Sequence, residues 1–540
     1  MNSKAGSTRR SFLHAGAAVL GGMGVASVNS FAAAPQEGSS TRQNPGGSWG
    51  AVYDVRSFGA KGDGTTVDTP AVNKAIDTAA AAGGGTVLFP AGHYLCYTIH
   101  LKNNIALYLD QGATIVAGET GPQGQYDPAE PNQWDHYQDF GHSHWHNSLI
   151  VGEEIHDFSI LGPGLIWGKG LSRGTRQGPR AEDPGVGNKS ISLKNCHNVN
   201  LRDFSILHGG HFGILATGVD NFTIDNLKID TNRDGIDVDC CSNVRISNCS
   251  VNSPWDDAIC PKSSFALGYA RPTENVTITN CFVSGNYMEG TLLDGTRKPF
   301  PPDERVPRNG RIKLGTESNG GFKRITISNC VCDSCHGIAL EAVDGALLED
   351  VTIDNISMRD INNGPIFLRL GDRMRGPEGV PVGALRRVII SNIVCSNSSS
   401  GISSIITGLA GHLIEDVKLS NIIIEHRGGG TPEEAKREVP EEERDRYPEP
   451  GRFGDTPSNA FFIRHVKGIE MNDVKILVQQ PDARPAFVLE DVHGADFFRI
   501  KTPKNGNVPT FAFKNVEDFK VSQCNTVSDT HLDKVDNRDL

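Results

Sequence analysis

One short pattern returns so often along this chain that few folds can accommodate it. Residues 198–206 read Asn-Val-Asn-Leu-Arg-Asp-Phe-Ser-Ile, and similar stretches follow at 221–229, 243–251 and 275–283. It comes back at 324–332, 350–358, 387–395 and 416–424, with a last echo at 518–524. The tightest spacing is about 22 residues, and the longer ones read as one turn plus an inserted loop. Within each stretch apolar and polar residues alternate, the mark of a strand with one buried face. Strands at this period, with no helical pattern between them, predict an all-β chain wound as a parallel β-helix, a solenoid. A β-sandwich would instead show regular hairpin signals, and the repeated unit here keeps a single register. The Asn before Cys249, Cys281 and Cys330 suits a tight turn, because Asn tolerates left-handed backbone and bonds its own chain.

A solenoid has open ends that need caps. Residues 68–77 read as a helix that plugs the N-terminal end, with Asp68 or Thr69 as N-cap, Pro70 in the first turn and Gly83-Gly84-Gly85 as the stop. The solenoid, taken as a catalytic domain, is expected over residues 51–527, followed by a tail at 528–540. Residues 428–453 are charged, contain Pro and lack the period, and read as a surface insertion that either flanks a cleft or is only solvated. Ahead of residue 51 the chain changes character. Thr8-Arg9-Arg10-Ser11-Phe12-Leu13 leads into a short Gly- and Ala-rich apolar run, closed by Ala32-Ala33-Ala34. That is the form of a cleaved twin-arginine leader over residues 1–34, with a linker at 35–50. It is too short and too weakly apolar for a permanent anchor. A bacterial protein, exported folded to the periplasm or beyond and with no membrane anchor after cleavage, is the expectation.

The net charge of −12 argues against nucleic acid as a partner, which needs a basic surface. An acidic sugar needs only a local basic cluster. Twelve cysteines in an exported chain raise the question of disulfides. Cys249, Cys281 and Cys330 occupy one repeat slot and read as small buried hydrophobes. Cys240-Cys241 and Cys332/Cys335 remain open as local pairs.

Two carboxylate-bearing segments interrupt the repeat. Thr231-Asn232-Arg233-Asp234-Gly235-Ile236-Asp237 is followed some twenty residues on by Pro254-Trp255-Asp256-Asp257-Ala258-Ile259-Cys260. If the interval is one coil, Asp234, Asp256 and Asp257 point from neighbouring strands at one patch. Carboxylates so placed can protonate a leaving oxygen and activate a water.

With these motifs laid out, most of the chain after residue 50 resembles the polygalacturonase family, glycoside hydrolase family 28, which implies that the parallel β-helix is right-handed. The likeness begins at Phe58-Gly59-Ala60-Lys61-Gly62-Asp63-Gly64 and continues through Gly84-Gly85-Thr86-Val87 and Phe89-Pro90-Ala91-Gly92, segments that specify fold more than reaction. The family's Asn-Thr-Asp and Gly-Asp-Asp appear as Asn232-Arg233-Asp234 and Trp255-Asp256-Asp257. The resemblance implies Asp256 as general acid, with Asp234 and Asp257 holding and activating the water. It implies inversion, for which carboxylates roughly 6.5–9.5 Å apart leave room for that water. Lys262 matches a lysine of exo-acting members that would bind a substrate carboxylate. Two departures stand out. Gly315-Thr316-Glu317-Ser318-Asn319-Gly320-Gly321 matches a Gly-Ser-Glu-like segment, but the histidine expected before it falls at Gly310. The coil where the family carries Arg-Ile-Lys reads Gly337-Ile338-Ala339-Leu340-Glu341, while Arg311-Ile312-Lys313 stands one coil early. Either these cations reach the same sugar from another strand or the match is coincidental. Arg369, Arg373 and Arg375 form an alternative basic cluster.

Other residues complete the candidate site. Substrate contacts are expected from Lys262, Arg311, Lys313, Glu317, His211 and Trp255, the last at the cleft wall. His208 and His211 lie on the coil before Asp234, where either would stand in for the missing histidine, or serve only in a turn. Asp237 either supports Asp234 or faces solvent, and Asp239 alternates with it along the strand. Glu317 and Glu341 would tune the acid. His142, His144 and His146 alternate near His136, as a metal site or, better, a sugar-contacting loop with Trp134 and Trp145. No cofactor or metal is called for. The chain therefore reads as an exported inverting glycosidase, exo-acting through loops such as 292–306, on galacturonate-containing pectic polysaccharide or oligosaccharide. The alternatives are a rhamnosidase or other glycosidase of rhamnogalacturonan, a Ca-dependent polysaccharide lyase and a non-catalytic glycan-binding β-helix. A monomer is the default for an unbranched solenoid.

Overall fold

The computed structural model describes residues 51–174, 181–441, 447–504 and 506–540. The expected leader at 1–34 and linker at 35–50 lie outside the described residues. No helix among those described is long and apolar enough to cross a membrane.

The repeat is a parallel coil stack, as its period predicts. Val199, Phe222, Val244, Val276, Ile325, Val351, Val388 and Val417 stand opposite one another in successive parallel strands. Two residues on, Leu201, Ile224, Ile246, Ile278, Ile327 and Ile353 form the next row inward. A second ladder runs Ile206, Ile229, Val251, Val283, Cys332. A third, which carries the site, runs Ile150, Ile191, Ile214, Ile236, Ile259, Ile312, Ile338. These rows line the interior, where their side chains are buried and form one continuous core. Strands of this kind are favoured by β-branched residues stacked on their own type.

The asparagines turn the corners. Asn226, Asn248, Asn280, Asn329, Asn355, Asn392 and Asn421 all have φ between 54° and 58°. Their side chains bond from coil to coil: Asn280 donates to Asn248 at 3.3 Å, Asn355 to Asn329 at 2.7 Å and Asn421 to Asn392 at 2.6 Å. Left-handed backbone costs Asn less than most residues, and the ladder satisfies the amide it exposes. All twelve cysteines are free and eleven are buried. The local pairs left open at Cys240-Cys241 and Cys332/Cys335 are therefore not disulfides, and the thiols act as small core groups.

Helix Thr69–Ala81 covers the N-terminal end, burying Val72, Ala75, Ile76 and Ala79 at helical spacing against the first coil. Asp68 holds the N-cap position, its carbonyl accepting from Val72 N at 3.0 Å, but its side chain makes no cap bond. Its carboxylate instead accepts from the backbone of Lys61 at 2.6 Å and of Gly62 at 3.0 Å. At the other end, residues 528–540 are not a tail. Thr530–Asp539 pairs antiparallel with Phe511–Ser522, covering an edge that a solenoid would otherwise leave open.

Asp68→Ala would strand two backbone donors beneath the capping helix. We expect a loss of about 1 kcal/mol in urea unfolding, the net worth of hydrogen bonds at a partly buried site; an unchanged midpoint would show that water replaces the carboxylate.

Candidate active site

Asp234 begins the strand Asp234–Asp239, and Asp257 lies two residues before the strand Ile259–Lys262. Because Ile236 stands opposite Ile259, and Gly235 N donates to Asp257 O at 3.0 Å, the two acids enter neighbouring coils side by side. One oxygen from each of Asp234, Asp256 and Asp257 lies within 4.8 Å of the others. The spacing in sequence thus converts to the expected cluster. These are nearest-oxygen distances, whereas the roughly 6.5–9.5 Å of inverting enzymes is the separation of whole carboxyl groups.

The three acids differ in surroundings. Asp256 keeps 20% of its side chain exposed and pairs with Arg233 at 2.8 Å. Asp257 is buried, with Arg311 Nε at 2.8 Å from one oxygen and Lys313 Nζ against the other. Burial works to raise its pKa, but Lys313, Arg311 and Lys262 outweigh burial and hold the carboxyl ionised, well below the usual carboxylate range. Asp234 is buried with one oxygen unbonded. Burial, then Asp237 and Asp256, push it well above its ordinary value.

Asp237 lies three residues further along the same strand, fully buried. Its carboxylate makes no hydrogen bond and sits 3.6 Å from His142 Nε2 and 3.7 Å from Lys262 Nζ. Burial pushes it up to about 8 in spite of Lys262. Lys262 stays charged, since Asp237 and Glu317 overcome the penalty of its own burial. Burial and the neighbouring carboxylates thus push both Asp234 and Asp237 toward their protonated forms. Glu317 is the reverse case: burial would raise it, but Lys262, His142 and Arg375 hold it well below its ordinary value. Its oxygens meet Lys262 at 3.6 Å, Arg375 at 3.4 Å and the backbone of Asp139 at 3.2 Å. Glu341 lies unbonded 3.9 Å from Arg311, raised by burial to about 7.

A cavity of about 670 Å³ opens over the acids. Of the residues expected to touch substrate, Lys262, Lys313, His211 and Trp255 line it, together with Asp234, Asp256 and Asp257. Arg311 and Glu317 do not; both are buried behind the wall, Arg311 gripping Asp257 and Glu317 gripping Lys262. Trp255 packs edge-to-face on Phe300 at 5.4 Å, a wall residue as expected. His211 donates from Nδ1 to Arg173 O at 2.7 Å and accepts at Nε2 from Arg233 at 3.2 Å, so it is held neutral by burial and by that guanidinium. His208 instead lies 3.3 Å from Glu289, away from the cavity lining.

The histidine run does not form a metal site of its own. His144 meets Asp135 at 3.2 Å, His146 meets Glu153 at 2.6 Å, and only His142 turns to the acids. Trp145, expected at a sugar, is fully buried with its indole N–H donating to Thr217 at 3.0 Å. The basic cluster is also engaged. Arg373 holds Asp344 at 2.5 Å and Arg375 holds Asp139 at 2.6 Å.

Sequence reasoning missed Arg233, His336, Tyr447, Glu449 and Arg452, all of which line the cavity. Arg233 was visible inside the motif, where the family has Thr. The other four carry no spacing signal. Three of them come from the charged insertion, which therefore flanks the cleft: Glu449 accepts from Arg311 at 2.5 Å and the Tyr447 hydroxyl accepts from Lys313 at 3.1 Å.

Comparison with known proteins agrees with this architecture. Residues 52–126 match the family described as rhamnogalacturonase A/epimerase, pectate lyase-like, and residues 189–373 match the right handed beta helix region. A probable polygalacturonase of Vitis vinifera is 23% identical over 56% of this chain and 60% of its own length. An exo-poly-alpha-D-galacturonosidase of Dickeya chrysanthemi is 25% identical over 58% of each. The chain thus spans about three fifths of the length of these two relatives. The family 28 exopolygalacturonase of Yersinia enterocolitica superposes with a TM-score of 0.60 at 17% identity, over 84% of this chain and 79% of that one, a likeness of fold. The chain is polygalacturonase-like, and its fold is a right-handed parallel β-helix.

The buried Asp237 gives a pH test. Its native pKa is raised, so between about pH 4 and pH 8 the folded chain keeps a proton that the unfolded chain has released, and stability falls as pH rises through that window. Asp237→Asn removes this dependence. Its melting temperature should decline less than the wild type's between pH 5 and pH 8; parallel profiles would mean that Asp237 is ionised throughout.

Proposed function

We propose that this polygalacturonase-like chain is a glycoside hydrolase that cleaves galacturonate linkages of pectic polysaccharide or oligosaccharide, with inversion and from a chain end. The observation that carries the reading is the trio Asp234, Asp256 and Asp257, three carboxylates of unequal environment on adjacent coils at the floor of one cavity. The names of the matched relatives support the substrate.

The roles follow from access and charge. Asp256, the most accessible acid of the trio, takes up a proton from solvent once an entering sugar opens its pair with Arg233 and passes it to the leaving oxygen. Asp257 and Asp234 hold the water. Asp257 is ionised and takes the water's proton, with Arg311 and Lys313 fixing its orientation. A retaining route would need one of the two buried acids as nucleophile on the anomeric carbon, at the roughly 5–5.5 Å separation typical of retaining enzymes. Asp257 is poorly suited as a nucleophile, because both its oxygens are held by cations. Asp234 is poorly suited because it favours its protonated form. Water held by the pair, attacking opposite Asp256, fits better, and inversion is the consequence. The insertion described above flanks the cavity and favours action at a chain end.

Defined oligogalacturonides test this. We expect a saturated monosaccharide, released regardless of chelator, whose first-formed anomer by proton NMR is opposite to that of the substrate linkage. Asp256→Asn should lower kcat by about 10²–10⁴ while leaving the fold intact. An unsaturated, ultraviolet-absorbing product would replace hydrolysis by elimination, and full activity of the Asn variant would remove Asp256 from its role.

We also place the protein outside the cytoplasm. The support is Thr8-Arg9-Arg10-Ser11-Phe12-Leu13 and the weakly apolar run after it. Replacing both arginines by lysine should leave the protein in the cytoplasmic fraction of a bacterial host; undiminished export would refute the assignment.

A further inference from the structure

The cavity's cations raise a problem for an anionic substrate. Four line it: Arg233, Lys262, Lys313 and Arg452. Arg233 is 2.8 Å from Asp256, Lys262 lies within 4 Å of both Asp237 and Glu317, and Lys313 is against Asp257. Arg311, behind the wall, is divided between Asp257 and Glu449. Lys262, Lys313 and Arg311 are also almost fully buried, so turning them to a ligand would strand a buried carboxylate. Arg452 alone among the four is exposed and forms no ion pair with a described residue.

Its backbone is fixed on both sides. Arg452 closes the short turn Pro450–Arg452, in which its N–H donates to Glu449 O at 2.9 Å. Just before the turn, Glu449 accepts two bonds from Arg311 and one from Asn363 at 3.3 Å. Tyr447 accepts from Lys313 and from Thr316. Just after the turn, Phe453 is buried against Phe367, with ring centroids 6.1 Å apart. A long cationic side chain is thus displayed at the cavity from an anchored strap. Glu449 does not cancel it, since both its oxygens are taken by Arg311.

We infer that Arg452 binds the carboxylate of a uronate residue in this cavity, and that residues 447–453 are a specificity strap for acidic over neutral sugars. This rests on the proposed glycoside-hydrolase reading for its substrate class. A guanidinium suits the task, because its paired N–H groups match a carboxylate and stay charged at all working pH.

Equilibrium binding of trigalacturonate and of its methyl ester, measured in an Asp256→Asn background so that turnover does not intervene, tests it. Arg452→Ala should weaken binding of the free acid about tenfold or more, the worth of one charge-assisted bond. The preference for acid over ester should shrink by the same factor, and Arg452→Lys should restore part of both. Unchanged acid binding in Arg452→Ala, or an equal loss for acid and ester, would overturn the inference. Binding with the expected discrimination by a wild-type chain that cleaves nothing would fail only the hydrolase reading; a wild-type chain that binds neither ligand would overturn both.

Discussion

Parallel stacking in register is the constraint from which the rest of this structure follows. Coils stack about 4.8 Å apart, so each residue lies directly against the same position of the coils before and after. Apolar rows become a continuous core this way, and asparagine corners become hydrogen-bonded ladders. The same rule places acid against acid. Asp234 and Asp257 cannot be separated without breaking the ladder that aligns Ile236 with Ile259.

Buried carboxylates at such a spacing need compensation, and the structure supplies it from three directions. Arg311 and Lys313 come from the next coil, Lys262 from the far end of the Ile259–Lys262 strand, and Arg233 from the motif itself. The balance is uneven by position. Asp257 receives two cations and is ionised, whereas Asp234 receives none directly and, like Asp237, is pushed toward its protonated form by burial. Buried ion pairs of this kind are weak evidence for stability, because desolvation offsets much of the Coulomb gain. What they secure is a difference in protonation between carboxylates a few ångströms apart, which acid–base chemistry requires.

The charged insertion joins this economy from a distance. Glu449 is about 190 residues from Asp257 in sequence, yet both hold the same guanidinium. Tyr447 and Lys313 make a parallel link. The cavity wall and the carboxylate floor are therefore one network, and Arg452 lines the same cavity.

The coil fold, the helix over the N-terminal end and the meeting of Asp234, Asp256 and Asp257 were legible in the sequence. All three depend on local periodicity: alternation at period two, a repeat near one coil, and apolar residues at helical spacing. Periodicity converts to position without further information. The partners of those acids did not. Arg311 and Lys313 looked like sugar ligands, but their side chains fold back on Asp257; Trp145 looked like a sugar platform and is core; the strand at residues 530–539 looked like a tail. Tyr447, Glu449 and Arg452 had no signal at all. Their place is set by contacts across more than a hundred residues, where neither spacing nor residue type indicates which coil a loop will cross. Sequence alone determined which carboxylates meet. Tertiary structure decided which of them keeps its charge, and which cation of the cavity forms no ion pair with a described residue.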